Sequence, residues 1–181
     1  NEIPDWVSGY TSCLGAPEFR ESVAKFLSKH VTGCPVDPEA IGLSSGATAV
    51  IEMTSFLLAD KGDVAVFPTP SYPVYKQDIG NKAGVERYDL ITHHDVAELK
   101  NGLVLEIAQL QKALEDIESQ GKRFSILVLT SPDNPTGGRY SYDQLLEITD
   151  WCIDREIHLV VNEIYGLSLI DTTHPVLKED Y

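Results

Sequence analysis

Four short segments of this chain carry residue types that can do chemistry, and in each of them those residues flank a turn. The first, Ser131-Pro132-Asp133-Asn134-Pro135-Thr136-Gly137-Gly138, directly follows the apolar run Phe124–Leu129. Proline fixes φ and removes a backbone donor, while glycine opens φ > 0. A turn built from both has few shapes and can aim the Asn134 carboxamide at one point. The second, Leu43-Ser44-Ser45-Gly46-Ala47-Thr48, leads through a small turn into a helical pattern. Helix N-termini expose unpaired N–H groups and a partial positive charge, so Ala47 and Thr48 mark a natural seat for phosphate. In the third, Phe67-Pro68-Thr69-Pro70-Ser71-Tyr72-Pro73, the prolines stiffen the turn and present Tyr72 as a flat face for stacking on a planar ring. The fourth is Val161-Asn162-Glu163-Ile164-Tyr165. Extended backbone puts Asn162 and Ile164 on one face and Glu163 and Tyr165 on the other. Distortion past the strand end brings Asn162 and Tyr165 together toward a ligand. Taken singly, these segments read equally as a strand-to-helix turn, a Ser/Thr helix cap, a packed tyrosine and a polar strand edge. Together they are the parts needed to hold a phosphorylated, planar, hydroxylated aromatic molecule.

The elements that must position these residues follow from hydrophobic spacing. Phe19, Val23, Phe26 and Leu27 predict a helix over 17–31, with Pro17 near its start and Gly33 just past its end. A turn at 36–39 and a short strand at 40–44 are expected next, then a helix over 47–59. Residues 64–67 are continuously apolar, as in a strand covered on both faces. A helix over 71–79, a strand over 85–88 and a loop over 91–104 follow. Ile107, Leu110, Leu114 and Ile117 predict a helix over 106–120, closed by Gly121. Strand 124–129, helix 142–155 and strand 157–161 complete the series. Strands alternating with helices imply an α/β fold with a mostly parallel sheet. No repeat or low-complexity linker interrupts residues 1–181, so one domain is expected. In such sheets ligands bind beyond the carboxyl ends of the strands, where all four segments lie.

Composition removes several function classes. Hydrophobic residues are 43% and charged residues 23% of the 181, an ordinary globular balance. A formal charge of −14 argues against a basic nucleic-acid-binding surface. No apolar run approaches the ~20 residues of a membrane span. The start, Asn1-Glu2-Ile3-Pro4-Asp5, is polar and acidic, without a signal pattern or an initiator Met. A cytoplasmic protein with a missing or processed N-terminus is expected. Cys13, Cys34 and Cys152 have no metal-ligand spacing and read as reduced thiols. CxxC, HExxH, GxGxxG and GxxxxGK[ST] patterns do not occur, so no metal, dinucleotide or NTPase site is indicated. His93 and His94 are adjacent and read as a solvated loop pair. Asn134 precedes proline and is not a glycosylation acceptor.

Read in series, the segments resemble the large domain of the pyridoxal-phosphate-dependent class I/II aminotransferases of fold type I. "YTSCLGAPEFRESVAKFL" is similar to the family's Tyr–Gly segment and following helix. "LSSGATAVIEMTSFLLADKGDVAVFPTPSYPVY" is the most specific match, with the Gly-Ala-Thr-Ala and Pro-Thr-Pro-x-Tyr-Pro flavour of the 1-aminocyclopropane-1-carboxylate synthase branch. "SPDNPTGGRYSYDQLLEITDWC" and "HLVVNEIYG" complete the order. The resemblance covers nearly the whole chain. It implies a three-layer α/β/α sandwich, an incomplete large domain without its N-terminal arm, its C-terminal part or the small domain. It also implies pyridoxal phosphate as cofactor, and an amino acid and a 2-oxo acid as substrates. Ala47 and Thr48 would bind the phosphate, Tyr72 would stack on the ring, and Asn134 and Tyr165 would meet the ring hydroxyl oxygen. Tyr10 would reach the cofactor phosphate of a neighbouring subunit, implying a homodimer.

The chain departs from the family pattern twice. The family has Asp where this chain has Asn162. That carboxylate keeps the pyridine nitrogen protonated and the ring strongly electron-withdrawing. An amide can accept a hydrogen bond from a protonated nitrogen or donate one to an unprotonated nitrogen, but supplies no charge. Slow or absent transamination is the expectation. The chain also ends before the family's Schiff-base Lys and its carboxylate-gripping Arg, and Lys178 lacks the right context. No catalytic residue is therefore expected within these residues, and either a fragment of a longer enzyme or a non-catalytic relative retaining the fold fits them.

Overall fold

In a computed structural model of the chain, residues 3–92 and 103–168 are described, less the side chains of residues 5 and 6. The His93-His94 pair and the tail holding Lys178 lie outside them. The described residues up to Gly46 form one compact unit, and those from Ala47 onward form a second.

The first unit is built on helix α1, Pro17–Leu27, which has proline at its start and runs into a wider π turn at Ser28–Thr32. Gly33, at φ 66°, ends it. The buried Arg20 ties this unit together. Its Nη1 donates to the carbonyl of Pro38 at 2.9 Å, and its Nε to that of Gly15 at 3.3 Å. The strand expected at 40–44 does not form. Pro38–Ala40 is a 3-10 turn capped by the Asp37 carboxylate, which accepts the Glu39 N–H at 2.9 Å. Residues 41–44 are irregular. A strand needs a neighbour along its length, and here the N–H of Leu43 meets the carbonyl of Leu14 in a single 3.0 Å bond.

The second unit begins with helix α2, Gly46–Leu58, and strand β1, Val64–Thr69. Helix α3, Tyr75–Gly80, and strand β2, Glu86–Ile91, follow. Then come helix α4, Ile107–Ser119, strand β3, Phe124–Thr130, helix α5, Tyr142–Asp154, and strand β4, His158–Asn162. Helix α3 starts four residues later than expected, because the proline-flanked segment 70–74 does not join the helix. Helices α4 and α5 each begin with a capping box, Glu106 with Gln109 and Ser141 with Gln144.

The four strands pair in the order β2-β1-β3-β4, all parallel. Their period-2 alternation divides the core. Val64, Val66, Leu127 and Leu129 face Leu110 and Ile117 of α4 and Ile148 and Trp151 of α5. Ala65, Phe67, Ile126 and Val128 face Ile51 of α2 and Tyr75 and Ile79 of α3. The result is a three-layer α/β/α arrangement with β3 buried along its whole length. The chain leaves β1 toward β2 on one side and returns to β3 on the other. That reversal makes a topological switch point between β1 and β3, and the crevice beyond their carboxyl ends is the place for a ligand.

Candidate functional site

A cavity of about 180 Å³ lies at the carboxyl ends of the strands, bounded by residues that follow β1, β3 and β4 and by the start of α2.

The turn after β3 is held by its own side chains. The Asp133 carboxylate accepts from the Thr136 hydroxyl at 2.7 Å, and that hydroxyl oxygen accepts the Gly138 N–H at 3.1 Å. The Asp133 N–H reaches the carbonyl of Gly138 at 2.9 Å. Gly137 stands at φ 69°, in the left-handed region, and a Cβ on Gly138 would lie 2.9 Å from Leu103 Cγ. These constraints fix Asn134, whose Nδ2 lies 3.5 Å from the Tyr165 hydroxyl across the cavity.

At the start of α2, Gly46 adopts φ 85°, which swings the chain into the helix and brings Ala47 and Thr48 to the cavity. The first-turn N–H groups have no acceptor within the helix. The Thr48 side chain lies beside the carboxyl of Asp78, a buried residue of α3 on the same cavity. Burial pushes the Asp78 carboxyl above the usual range. The Glu52 charge adds to that, and the Thr48 side chain opposes it.

Tyr72 lies in the proline segment after β1. Its ring meets that of Tyr75 edge-on, with centroids 5.4 Å apart, and Tyr75 in turn stacks on Phe67 at 4.8 Å. Asn162 ends β4. Its Nδ2 donates to the Tyr75 hydroxyl at 2.7 Å, and its Oδ1 accepts the N–H of Ile164 at 3.1 Å. The Tyr75 hydroxyl also bonds the Thr130 Oγ1 at 2.8 Å. A chain of polar groups, buried at Tyr75 and Thr130 and half-buried at Asn162, thus joins α3, β3 and β4.

The structure brings Ala47, Thr48, Tyr72, Asn134, Asn162 and Tyr165 to one cavity. Tyr10 is not among them. It belongs to the first unit and is fully exposed. Sequence reasoning missed Tyr75, Asp78 and Thr130. A signal existed for two of them. Tyr75 and Asp78 are spaced by three in the predicted helix, which places them on one face. Among the described residues no group of His, Cys, Asp or Glu could hold a metal ion. No helix of the described residues is long and apolar enough to cross a membrane.

A site with helix N–H groups at one end, an aromatic face beside it and amide and phenol groups opposite can hold an anionic group and a flat polar ring. The family model described as Aminotransferase class I and II matches residues 5–176. The chain is 33% identical over 167 residues to 1-aminocyclopropane-1-carboxylate synthase 2 of Solanum lycopersicum, covering 92% of this chain and 33% of that protein. It is 35% identical over 156 residues to 1-aminocyclopropane-1-carboxylate synthase 4 of Oryza sativa subsp. japonica, covering 86% and 30%. The chain therefore spans about a third of the length of these curated relatives. Among solved structures, an aromatic aminotransferase from Pyrococcus horikoshii OT3 superposes with a TM-score of 0.71 at 24% identity, covering 97% of this chain and 44% of that one. That likeness is one of fold.

Proposed function

We propose, since this chain belongs to the class I and II aminotransferase family, that it forms the cofactor-holding part of an enzyme acting on an amino acid with a 2-oxo acid as second substrate. The family is pyridoxal-phosphate-dependent. Bound pyridoxal phosphate supplies an aldehyde that captures an amino group and a conjugated ring that draws electron density from the substrate's α carbon. The observation that carries the reading is the convergence of six predicted side chains on one cavity at the switch point.

The donor set fits this cofactor. Ala47 and Thr48 seat the phosphate on the first turn of α2, where unpaired N–H groups and the helix dipole favour an anion. Tyr72 covers one face of the ring. Asn134 and Tyr165, 3.5 Å apart, both offer donors to the ring hydroxyl oxygen. Asn162 faces the ring nitrogen. Ile51 and Ile164 supply apolar walls that limit water around it. In the dimer proposed here, Tyr10 reaches the phosphate of the neighbouring subunit's cofactor.

A second reading, a relative that keeps the fold and holds the cofactor without turning over substrate, is supported by Asn162 standing where the family pattern has a carboxylate. Titrating the protein with pyridoxal phosphate, reducing with borohydride and mapping the modified peptide separates the two. One specifically modified lysine together with amino-group transfer supports the enzyme. Saturable binding without either supports the second reading. Absence of saturable binding overturns both.

A further inference from the structure

We propose that Asn162 presents an N–H to the ring nitrogen of the cofactor, so that this chain holds pyridoxal phosphate with its pyridine nitrogen unprotonated. The inference deepens the proposed function and rests on occupation of the cavity by that cofactor.

A carboxamide is ambiguous in principle, since rotation by half a turn exchanges its donor and acceptor ends. Its neighbours remove the ambiguity here. The backbone N–H of Ile164 can only donate, so the amide atom 3.1 Å from it is the oxygen. Turning the amide over would set an NH2 group against that N–H, donor against donor. The other end, Nδ2, then lies 2.7 Å from the Tyr75 hydroxyl, whose oxygen accepts one of its two hydrogens. Thr130, 2.8 Å from the same hydroxyl, takes or gives the remaining hydrogen bond there, so the Tyr75 end of the amide is fixed as well. Nδ2 keeps one N–H and Oδ1 one lone pair on a side chain that lines the cavity, and it is the N–H that is set against the ring nitrogen.

A donor matches a nitrogen with a free lone pair. It opposes a nitrogen that carries a proton, because two hydrogens would then meet in a partly buried site. The titratable side chains lining the cavity are Tyr72, Tyr75, Asp78 and Tyr165. Asp78 is the carboxylate among them, and it lies on α3 beside Thr48, toward the α2 end of the site. The ring nitrogen therefore meets a neutral donor in place of the family's carboxylate. Its proton affinity falls by about tenfold or more relative to the free cofactor. The ring withdraws electron density less strongly as a result.

The test uses the chain with pyridoxine 5′-phosphate labelled with 15N in the ring, an alcohol analogue that cannot condense with surface lysines. Equilibrium dialysis first establishes saturable binding. The 15N resonance of the bound ring near neutral pH is then expected at the unprotonated position, while the free analogue titrates normally. In Asn162→Asp it is expected at the protonated position. A bound nitrogen that is protonated in the unaltered chain overturns this inference and leaves the proposed function standing, as does a resonance identical in the two proteins. A protonated nitrogen that loses its proton in Asp78→Asn assigns the charge to Asp78 and likewise overturns it. A chain that does not bind the analogue overturns the inference and the proposed function together.

Discussion

Arg87, on strand β2, holds the backbone of Tyr72: its Nη1 donates to the Tyr72 carbonyl at 3.1 Å and to that of Pro73 at 3.3 Å. Its Nη2 donates to the Ser71 hydroxyl at 2.7 Å, its Nε to the Asp89 carboxylate at 2.7 Å, and the guanidinium lies over the Phe67 ring. One planar cation thus sets the position of the aromatic face proposed to cover the cofactor.

Arg87→Lys is expected to keep the charge and lose the fork, because an ammonium cannot reproduce two carbonyl bonds and a stacking face at once. Charge-assisted bonds of this kind are worth about 1.5–3 kcal/mol, so urea unfolding should show a loss of roughly that size. Binding of pyridoxine 5′-phosphate should weaken in parallel. Unchanged stability and binding in the lysine variant would contradict a positioning role for Arg87.

Asp78 predicts a pH-dependent variant. Its carboxyl is held above the usual range, chiefly by burial. The folded protein therefore binds this proton more tightly than the unfolded chain. The stabilisation is complete below the unfolded pKa of about 4 and is lost as pH rises through the folded value. Asp78→Asn should therefore raise the unfolding midpoint at pH 7, and the gain should close as the pH approaches about 4. Denaturant titrations at the two pH values check this, and an equal gain at both would refute it.

The thiols should separate by position. Cys13 and Cys34 are exposed, whereas Cys152 is buried on the core face of α5, and burial pushes its thiol up to about 11. A thiol-reactive dye at pH 8 should label the two exposed cysteines quickly and reach Cys152 only at the rate of unfolding. Rapid labelling of all three in native protein would mean that the α5 face of the core opens.

Core truncations should follow the sheet. Leu127, fully buried at the centre of β3, should lose about 2–5 kcal/mol on change to alanine. Val161, 40% exposed on the outer strand β4, should lose less than about 1 kcal/mol. Urea midpoints of the two variants give the comparison directly.

The contrast between local and distant causes explains what could be read in advance. Val64–Phe67 and Phe124–Leu129 declare buried strands because each residue must face one of two apolar layers, a property carried by the residues themselves. Ala47, Thr48, Tyr72, Asn134, Asn162 and Tyr165 were legible because each sits beside its own turn. The strand expected at 40–44 failed because strand formation depends on a partner, and Leu43 finds a single bond to Leu14. Tyr75 and Thr130 escaped notice for the same kind of reason. Helical spacing can mark Tyr75 as part of one face, but its hydroxyl meets Thr130 from 55 residues away and Asn162 from 87 residues away, so that polar link exists only after folding. The polarity of the Asn162 amide is likewise undetermined in the sequence, and becomes definite only when Ile164 and Tyr75 close on it.

Tyr75 belongs to two structures at once. Its ring is part of the apolar layer between the sheet and α2 and α3, and its hydroxyl anchors Asn162 on the cavity wall. Whatever steadies the cavity must steady that layer, so occupancy and global stability are linked through one side chain. A ligand at a hundred times its dissociation constant adds about 2.7 kcal/mol to a protein that binds it only when folded. Heating the chain in the presence of graded amounts of a candidate ligand therefore turns the melting temperature into an affinity scale, readable without any catalytic turnover.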